Sequence, residues 1–165
     1  DFTYGINVNL AYKNFDLSAF LNGSYGNEIY NYTKLYYDFP LFFNGNRSTA
    51  VLDSWSPSNT GASLPALSEV IQNNEATQAN SYFVEDGSYI RLRSLQIGYT
   101  LPDTIVSKLG ATSARVFYSG SNLFTITDYT GLDPEFATGG TLAIGVYDSN
   151  YPVSSVSSLG VSINF

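Results

Sequence analysis

Residues 2–25 read Phe2-Thr3-Tyr4-Gly5-Ile6-Asn7-Val8-Asn9-Leu10-Ala11-Tyr12-Lys13-Asn14-Phe15-Asp16-Leu17-Ser18-Ala19-Phe20-Leu21-Asn22-Gly23-Ser24-Tyr25, and their period decides the fold class. Phe2, Tyr4, Ile6, Val8, Leu10 and Tyr12 fall on one side of an extended chain, with Thr3, Gly5, Asn7, Asn9 and Ala11 on the other. After Lys13-Asn14 the pattern resumes with Phe15, Leu17, Ala19, Leu21, Gly23 and Tyr25. This predicts a β-hairpin with a turn of two to three residues. Each arm is about ten residues long, beyond the ~5–6 of an average soluble strand. It matches the roughly 9–11 residues with which a tilted strand crosses a bilayer.

Three further strands follow from the same rule. One runs from Tyr89 to Thr100, with Leu95, Ile97, Tyr99 and Leu101 opposite Ser94, Gln96, Gly98 and Thr100. Pro102 ends it, and Asp103 to Leu109 is expected to make one or two helical turns, with Asp103 as N-cap, Lys108 near the far end and Gly110 closing. A fourth strand is expected from Ala114 to about Phe124, with Val116, Tyr118 and Gly120 on one side and Arg115, Phe117 and Ser119 on the other. The last runs from Ser157 to Phe165, with Leu159, Val161, Ile163 and Phe165 outward and Ser158, Gly160, Ser162 and Asn164 inward.

The connections alternate in length. Those after the first and third strands are short. Residues 26–88 and roughly Thr125–Pro152 are long, with weak periodicity and one short helix expected near Pro65–Asn73. Short turns on one rim and long loops on the other is the organisation of an outer-membrane barrel. The inward residues Asn7, Asn9, Ser18, Asn22, Ser94, Gln96, Ser158, Ser162 and Asn164 are small and polar. The fold class expected is therefore all-β, a segment of an antiparallel transmembrane β-barrel with long extracellular loops and short periplasmic turns. The alternative is a secreted β-sandwich, its apolar face packed on a second sheet. Five strands cannot close a barrel, and open edges are intolerable in lipid. The chain also opens directly on a strand and contains no Met, so residues 1–165 are expected to be part of something longer.

Composition narrows the functions. Of 165 residues, 14 are Tyr and 11 Phe, and the net charge is −7. An acidic chain gives no electrostatic case for nucleic acid. The absence of Cys and His removes disulfides, thiolate and imidazole ligands and the usual nucleophile–base pairs.

Two ordered motifs carry a resemblance. The stretch Ser81-Tyr82-Phe83-Val84-Glu85-Asp86-Gly87-Ser88-Tyr89-Ile90-Arg91-Leu92-Arg93-Ser94-Leu95-Gln96-Ile97-Gly98-Tyr99-Thr100-Leu101-Pro102 resembles the C-terminal barrel of the SusC/RagA family of TonB-dependent outer-membrane receptors. So does the block from Ala114-Arg115-Val116-Phe117-Tyr118 through Asn122-Leu123-Phe124 to Leu132-Asp133-Pro134-Glu135. The ending Leu159-Gly160-Val161-Ser162-Ile163-Asn164-Phe165 is similar to the family's terminal strand, whose final aromatic residue, here Phe165, is an assembly signal. Residues 81–165 carry the likeness, and residues 1–80 match in character only.

The resemblance implies a barrel of about 22 strands around an N-terminal plug that lies outside this chain. It implies import of oligosaccharides, or of oligopeptides, driven by TonB, ExbB and ExbD. It also implies a SusD-like surface lipoprotein as lid and outer-membrane lipid around the wall. A secreted carbohydrate-binding module is the reading from another class. No enzymatic chemistry is expected.

Site expectations are fewer. Tyr36, Tyr37, Phe42, Phe43 and Trp55 in the first long loop are candidates for ligand or lid contact, or for the loop's own core. Asn122 is expected to tie down loop backbone, and Asp133-Pro134-Glu135 to make a rigid turn. Asp128, Asp133, Glu135 and Asp148 are candidates for a structural calcium site, although solvated loop acids fit the spacing as well. No other cofactor is expected.

Overall fold

A computed structural model describes residues 1–39, 45–67, 78–136 and 143–165. The chain forms two compact units. One comprises residues 1–27, 87–128 and 152–165, and the other residues 28–86 and 129–151.

The first unit is one antiparallel sheet built from β1 (Phe2–Tyr12), β2 (Phe15–Tyr25), β5 (Tyr89–Thr100), β6 (Ser113–Ser121) and β9 (Val156–Asn164), in the order β1-β2-β5-β6-β9. A short strand, β7 (Thr125–Thr127), also pairs with β5. The five expected strands are present, each within a few residues of its expected bounds. Lys13 takes a positive φ of 54° in the β1–β2 turn, as mirror-image hairpin turns require.

Register confirms the alternation. Ile6 faces Leu21, Val8 faces Ala19 and Leu10 faces Leu17; across the next ladder Leu17 faces Ile97 and Ala19 faces Leu95. Tyr118 then joins Ile97 to Leu159, and Val116 joins Tyr99 to Val161. One face is thus apolar throughout. Among the described residues of this unit no second sheet covers it, and Leu10 (63%), Val161 (63%) and Leu159 (82%) remain exposed. That removes the sandwich alternative, whose stability depends on covering such a face.

Aromatic rings collect at both ends of this face. Phe2 lies 5.8 Å from Tyr25 at one end, and Phe15 lies 4.6 Å from Tyr99 at the other. Phe2 to Tyr12 spans about 33 Å of strand at ~3.3 Å per residue. At a tilt of about 40° that rises about 25 Å, the height of the apolar band of an outer-membrane barrel. Tyr and Phe suit the two interfaces because an apolar ring with or without a polar tip tolerates both solvents. No helix among the described residues is long and apolar enough to cross a membrane.

The opposite face is mostly polar, and long side chains lie across its glycines. The Phe20 ring lies over Gly5, Phe117 over Gly160, and the Arg115 guanidinium over Gly98. Arg115 reaches across that glycine to Asp16 in a two-pronged pair, Nε to Oδ1 at 3.0 Å and the second nitrogen to Oδ2. At Gly160 and Gly98 an added Cβ would force the Phe117 ring or the Arg115 guanidinium to move, whereas at Gly5 the Phe20 ring would need to give only slightly. On the apolar face, Gly23 opposite Tyr4 is more constrained. Its added Cβ would sit 2.3 Å from the Tyr89 carbonyl oxygen, which is backbone and cannot rotate away. Gly23→Ala is expected to cost about 1–3 kcal/mol through overpacking. A urea unfolding titration of the reconstituted receptor checks this, and an unchanged midpoint contradicts the packing described.

Two irregularities reset the ladders at one level. Phe20 faces Ser94 but Leu21 faces Leu92, so Arg93 is an extra residue in β5. On the other side of β5, Ser94 faces Ser121 while Arg91 faces Thr125, so the partner strand also carries one extra residue. There Asn122 adopts a φ of 50°. The fourth strand consequently ends at Ser121 rather than running on to Phe124, and resumes as β7. These bulges turn Arg91 to the Asn22 side, where its Nε donates to Thr125 Oγ1 at 2.8 Å and the residue is 2% exposed.

The short helix α2 (Asp103–Val106) continues as a 3-10 turn over Ser107–Leu109, and Gly110 closes it at φ 69°. The expected N-cap is corrected. Pro102, not Asp103, occupies that position, because its fixed φ holds the entry and its carbonyl accepts from Ile105 and Val106. Asp103 makes no capping bond and sits in the first turn, where the helix dipole favours a carboxylate.

The second unit contains structure that the weak periodicity concealed. β3 (Glu28–Asn31) lies between β4 (Val84–Asp86), antiparallel, and β8 (Val146–Tyr147), parallel. The helix α1 (Thr33–Asp38) follows β3 directly. Leu35, Phe39, Leu64 and Phe83 form one small core, with Tyr30, Tyr32 and Tyr82 packed on it. Ile29, Tyr129 and Tyr147 form another, joined by Phe136. The helix expected near Pro65–Asn73 falls mostly outside the described residues; Pro65–Leu67 are not helical.

Candidate binding cleft in the loop unit

The chemistry of the second unit is organised around Glu85 on β4. Its carboxylate accepts from Asn31 Nδ2 at 3.0 Å, from the Thr130 backbone N–H at 2.8 Å and from Thr130 Oγ1, and it pairs with Lys34 Nζ at 2.9 Å. Two segments distant in sequence, residues 31–34 and Thr130, are thereby tied to one side chain on a third. Burial alone would raise the Glu85 pKa. The bonds from the Thr130 backbone, Lys34, Thr130 and Asn31 outweigh it and hold the group below the ordinary carboxylate range. Lys34 also lies 4.6 Å from the Tyr82 ring centroid and donates to the Tyr82 carbonyl. Tyr82 Oη donates to Asp38 Oδ2 at 2.8 Å; burial, then this bond, pushes the phenol above its usual range.

Beside this clamp lies a cleft of about 670 Å³, within the span of ordinary ligand pockets. Its floor is made of groups already committed. Thr33 Oγ1 donates to Asn31 Oδ1, Asp38 holds Tyr82, and Lys34 is held by Glu85. Its rim carries Tyr37, Asn46, Arg47, Thr130, Leu132 and Ser149. Tyr37 is half exposed and its carbonyl accepts from Ser48 N–H, while Arg47 donates to the Tyr36 carbonyl at 3.0 Å. Ser149 has a φ of 56°, a conformation few non-glycine residues adopt.

The residues singled out by sequence are dispersed. Tyr36 and Tyr37 are adjacent on α1, and only Tyr37 lines the cleft; Tyr36 packs edge-on against Tyr32 at 5.5 Å. Trp55 is 44% exposed and is not part of either small core. Phe42 and Phe43 lie outside the described residues. Asn122 Nδ2 donates to the Ser154 carbonyl at 3.2 Å, tying two distant segments of the first unit. Asp133 is buried, its Oδ1 accepting from Glu135 N–H at 2.9 Å across Pro134. Phe165 is 86% exposed. Among the described residues no three acidic side chains, Asp128 and Asp148 included, come together so as to hold a metal ion. Glu85, Lys34, Asn46 and Ser149 were not singled out. Glu85 lay within the family-like stretch, but its partners are too far along the chain for any spacing rule to link them.

No protein-family model matches the chain. It is 43% identical to TonB-dependent receptor P3 of Formosa agariphila over 136 residues, 82% of this chain and 13% of that receptor. Over its whole length it is 32% identical to TonB-dependent receptor SusC of Bacteroides thetaiotaomicron, covering 15% of it. Among solved structures it is similar to the RagAB peptide importer in the 'closed-closed' state, with a TM-score of 0.78 and 26% identity over 99% of this chain and 17% of that one. The 'open-open' state gives a TM-score of 0.77 at the same identity. The chain therefore spans about a sixth of the length of these relatives.

Proposed function

Since this chain belongs to the SusC/RagA family of TonB-dependent outer-membrane receptors, we propose that it forms C-terminal strands of an active importer of oligosaccharides. The observation that carries this reading is the single-layer sheet, apolar and uncovered on one face and mostly polar on the other. Such a sheet suits a wall between lipid and a protein-filled lumen. The remaining strands and the plug come from the rest of the receptor, and force comes from TonB, ExbB and ExbD. A SusD-like lipoprotein covers the mouth. Short turns face the periplasm and the long loops face outward, where Tyr36, Tyr37 and Trp55 serve ligand or lid contact. Asn122 and the Asp133–Glu135 turn hold loop backbone, and Phe165 marks the strand for assembly.

Glycans are our first reading because hydroxyl and amide side chains (Asn31, Thr33, Asn46, Ser48, Thr130 and Ser149) outnumber the charged Lys34, Asp38 and Arg47 in the cleft lining. Oligopeptide import is the second reading, favoured by the likeness to the RagAB peptide importer. Uptake by cells carrying the intact receptor and its lid decides between them. Glycan uptake that stops when TonB is deleted is the expected result. TonB-dependent uptake of peptides alone would replace the substrate, and no TonB-dependent uptake of either would end the importer reading.

A further inference from the structure

We propose that the cleft of the loop unit is a carbohydrate subsite, with Tyr37 as the stacking surface and Asn46 and Ser149 as the groups that take the sugar hydroxyls. The inference rests on the glycan-importer reading and assigns a place to its substrate. The first support is the contrast between floor and rim. Asn31, Thr33, Lys34 and Asp38 are held by one another, by Glu85 and by Tyr82, so the floor is fixed before a ligand arrives. Asn46 and Ser149, by contrast, are exposed where they line the same cleft and stand outside that network.

Charge supplies the second support. The cationic Lys34 is matched by Glu85, and the lining also carries the Asp38 carboxylate, which accepts from Tyr82, and the Arg47 guanidinium, so the two signs balance and the cleft has no net charge. An uncharged polyol fits a lining without net charge better than a strongly charged ligand does. Tyr37 adds a half-exposed aromatic residue to the lining, its backbone pinned by Ser48. A sugar presents one apolar C–H face and a belt of hydroxyls, and the arrangement matches both.

The test uses the intact receptor with its lipoprotein partner and calorimetric titration against linear neutral oligosaccharides of the glucan, mannan and fructan series. Tyr37→Ala and Asn46→Ala are each expected to weaken binding of the accepted series about tenfold, the equivalent of one lost stacking or hydrogen-bonding contact. Ser149→Trp, which fills the cleft from its rim, is expected to abolish it. Leu52→Ala, at an exposed position outside the cleft, is expected to bind as wild type. Retained heat-modifiable mobility on gels shows that each variant is folded. Wild-type binding of a glycan that none of the cleft variants alters overturns the subsite and leaves the importer reading standing. Binding of mixed oligopeptides and of no glycan overturns both.

Discussion

Val8→Arg in the intact receptor is expected to lower folding stability in a bilayer by about 2–4 kcal/mol, the cost of a cationic side chain near mid-depth on the lipid face. Val8 lies in the middle of β1, in one row with Ala19 and Leu95. No charge in that row could compensate an arginine, and the nearest water is about half a bilayer away. Asn7→Arg, one residue earlier, places the same group on the polar face and is expected to be tolerated to within about 1 kcal/mol. Urea titrations of folding into phospholipid vesicles measure both. Equal tolerance at the two positions would show that the apolar face does not meet hydrocarbon.

Glu85→Ala is expected to destabilise the loop unit by about 3 kcal/mol, because removing one partner of a buried pair leaves the other charge uncompensated. The Glu85 side chain is 10% exposed and that of Lys34 22%, so solvent cannot readily replace the lost carboxylate. The loss should appear as local opening, with faster hydrogen exchange at Thr130 and across β3 and β4 while the transmembrane strands keep their protection. The same clamp gives a pH dependence. The folded pKa of Glu85 lies below its unfolded value, so its contribution is fully present above the unfolded value of about 4.3. It is lost as pH falls through the lower folded value. Exchange protection of the loop unit, corrected for intrinsic rates, should hold level at neutral pH and decline only below about pH 4. Glu85→Gln should abolish that decline.

The sheet was legible because a wall between two solvents imposes period two on every strand, and the hairpin, the facing of all five strands and the order of long and short connections followed from that. The loop unit was not legible for the converse reason. Its cores join Leu35 to Phe83 and Ile29 to Tyr147, pairs that share no strand or helix period. Its central sheet uses strands of two to four residues, too short to show alternation. The α1 helix has six residues and no capping side chain, so it carries no start signal. The bulges left a trace that could have been followed. Continuing the alternation from Leu95 puts Arg93 and Arg91 on the lipid side, a conflict that an extra residue resolves. The dispersal of Tyr36, Tyr37 and Trp55 left none, since aromatic residues in a loop look alike whether they serve a core or a ligand.

The extra residue at Arg93 also constrains how this wall can change by insertion and deletion. A single-residue deletion there would leave the β2–β5 ladder more regular than before, with every backbone group still able to pair. Beyond the deletion, Leu92 would still stand beside Leu21 and Arg91 beside Asn22, so each side chain would keep its solvent. The other ladder would suffer instead, because the two steps left between Ser94 and Arg91 would oppose the four from Ser121 to Thr125. Strand length in this protein is therefore fixed by the neighbour on the far side of β5, and a gap at Arg93 should be tolerated only with a matching one at Asn122.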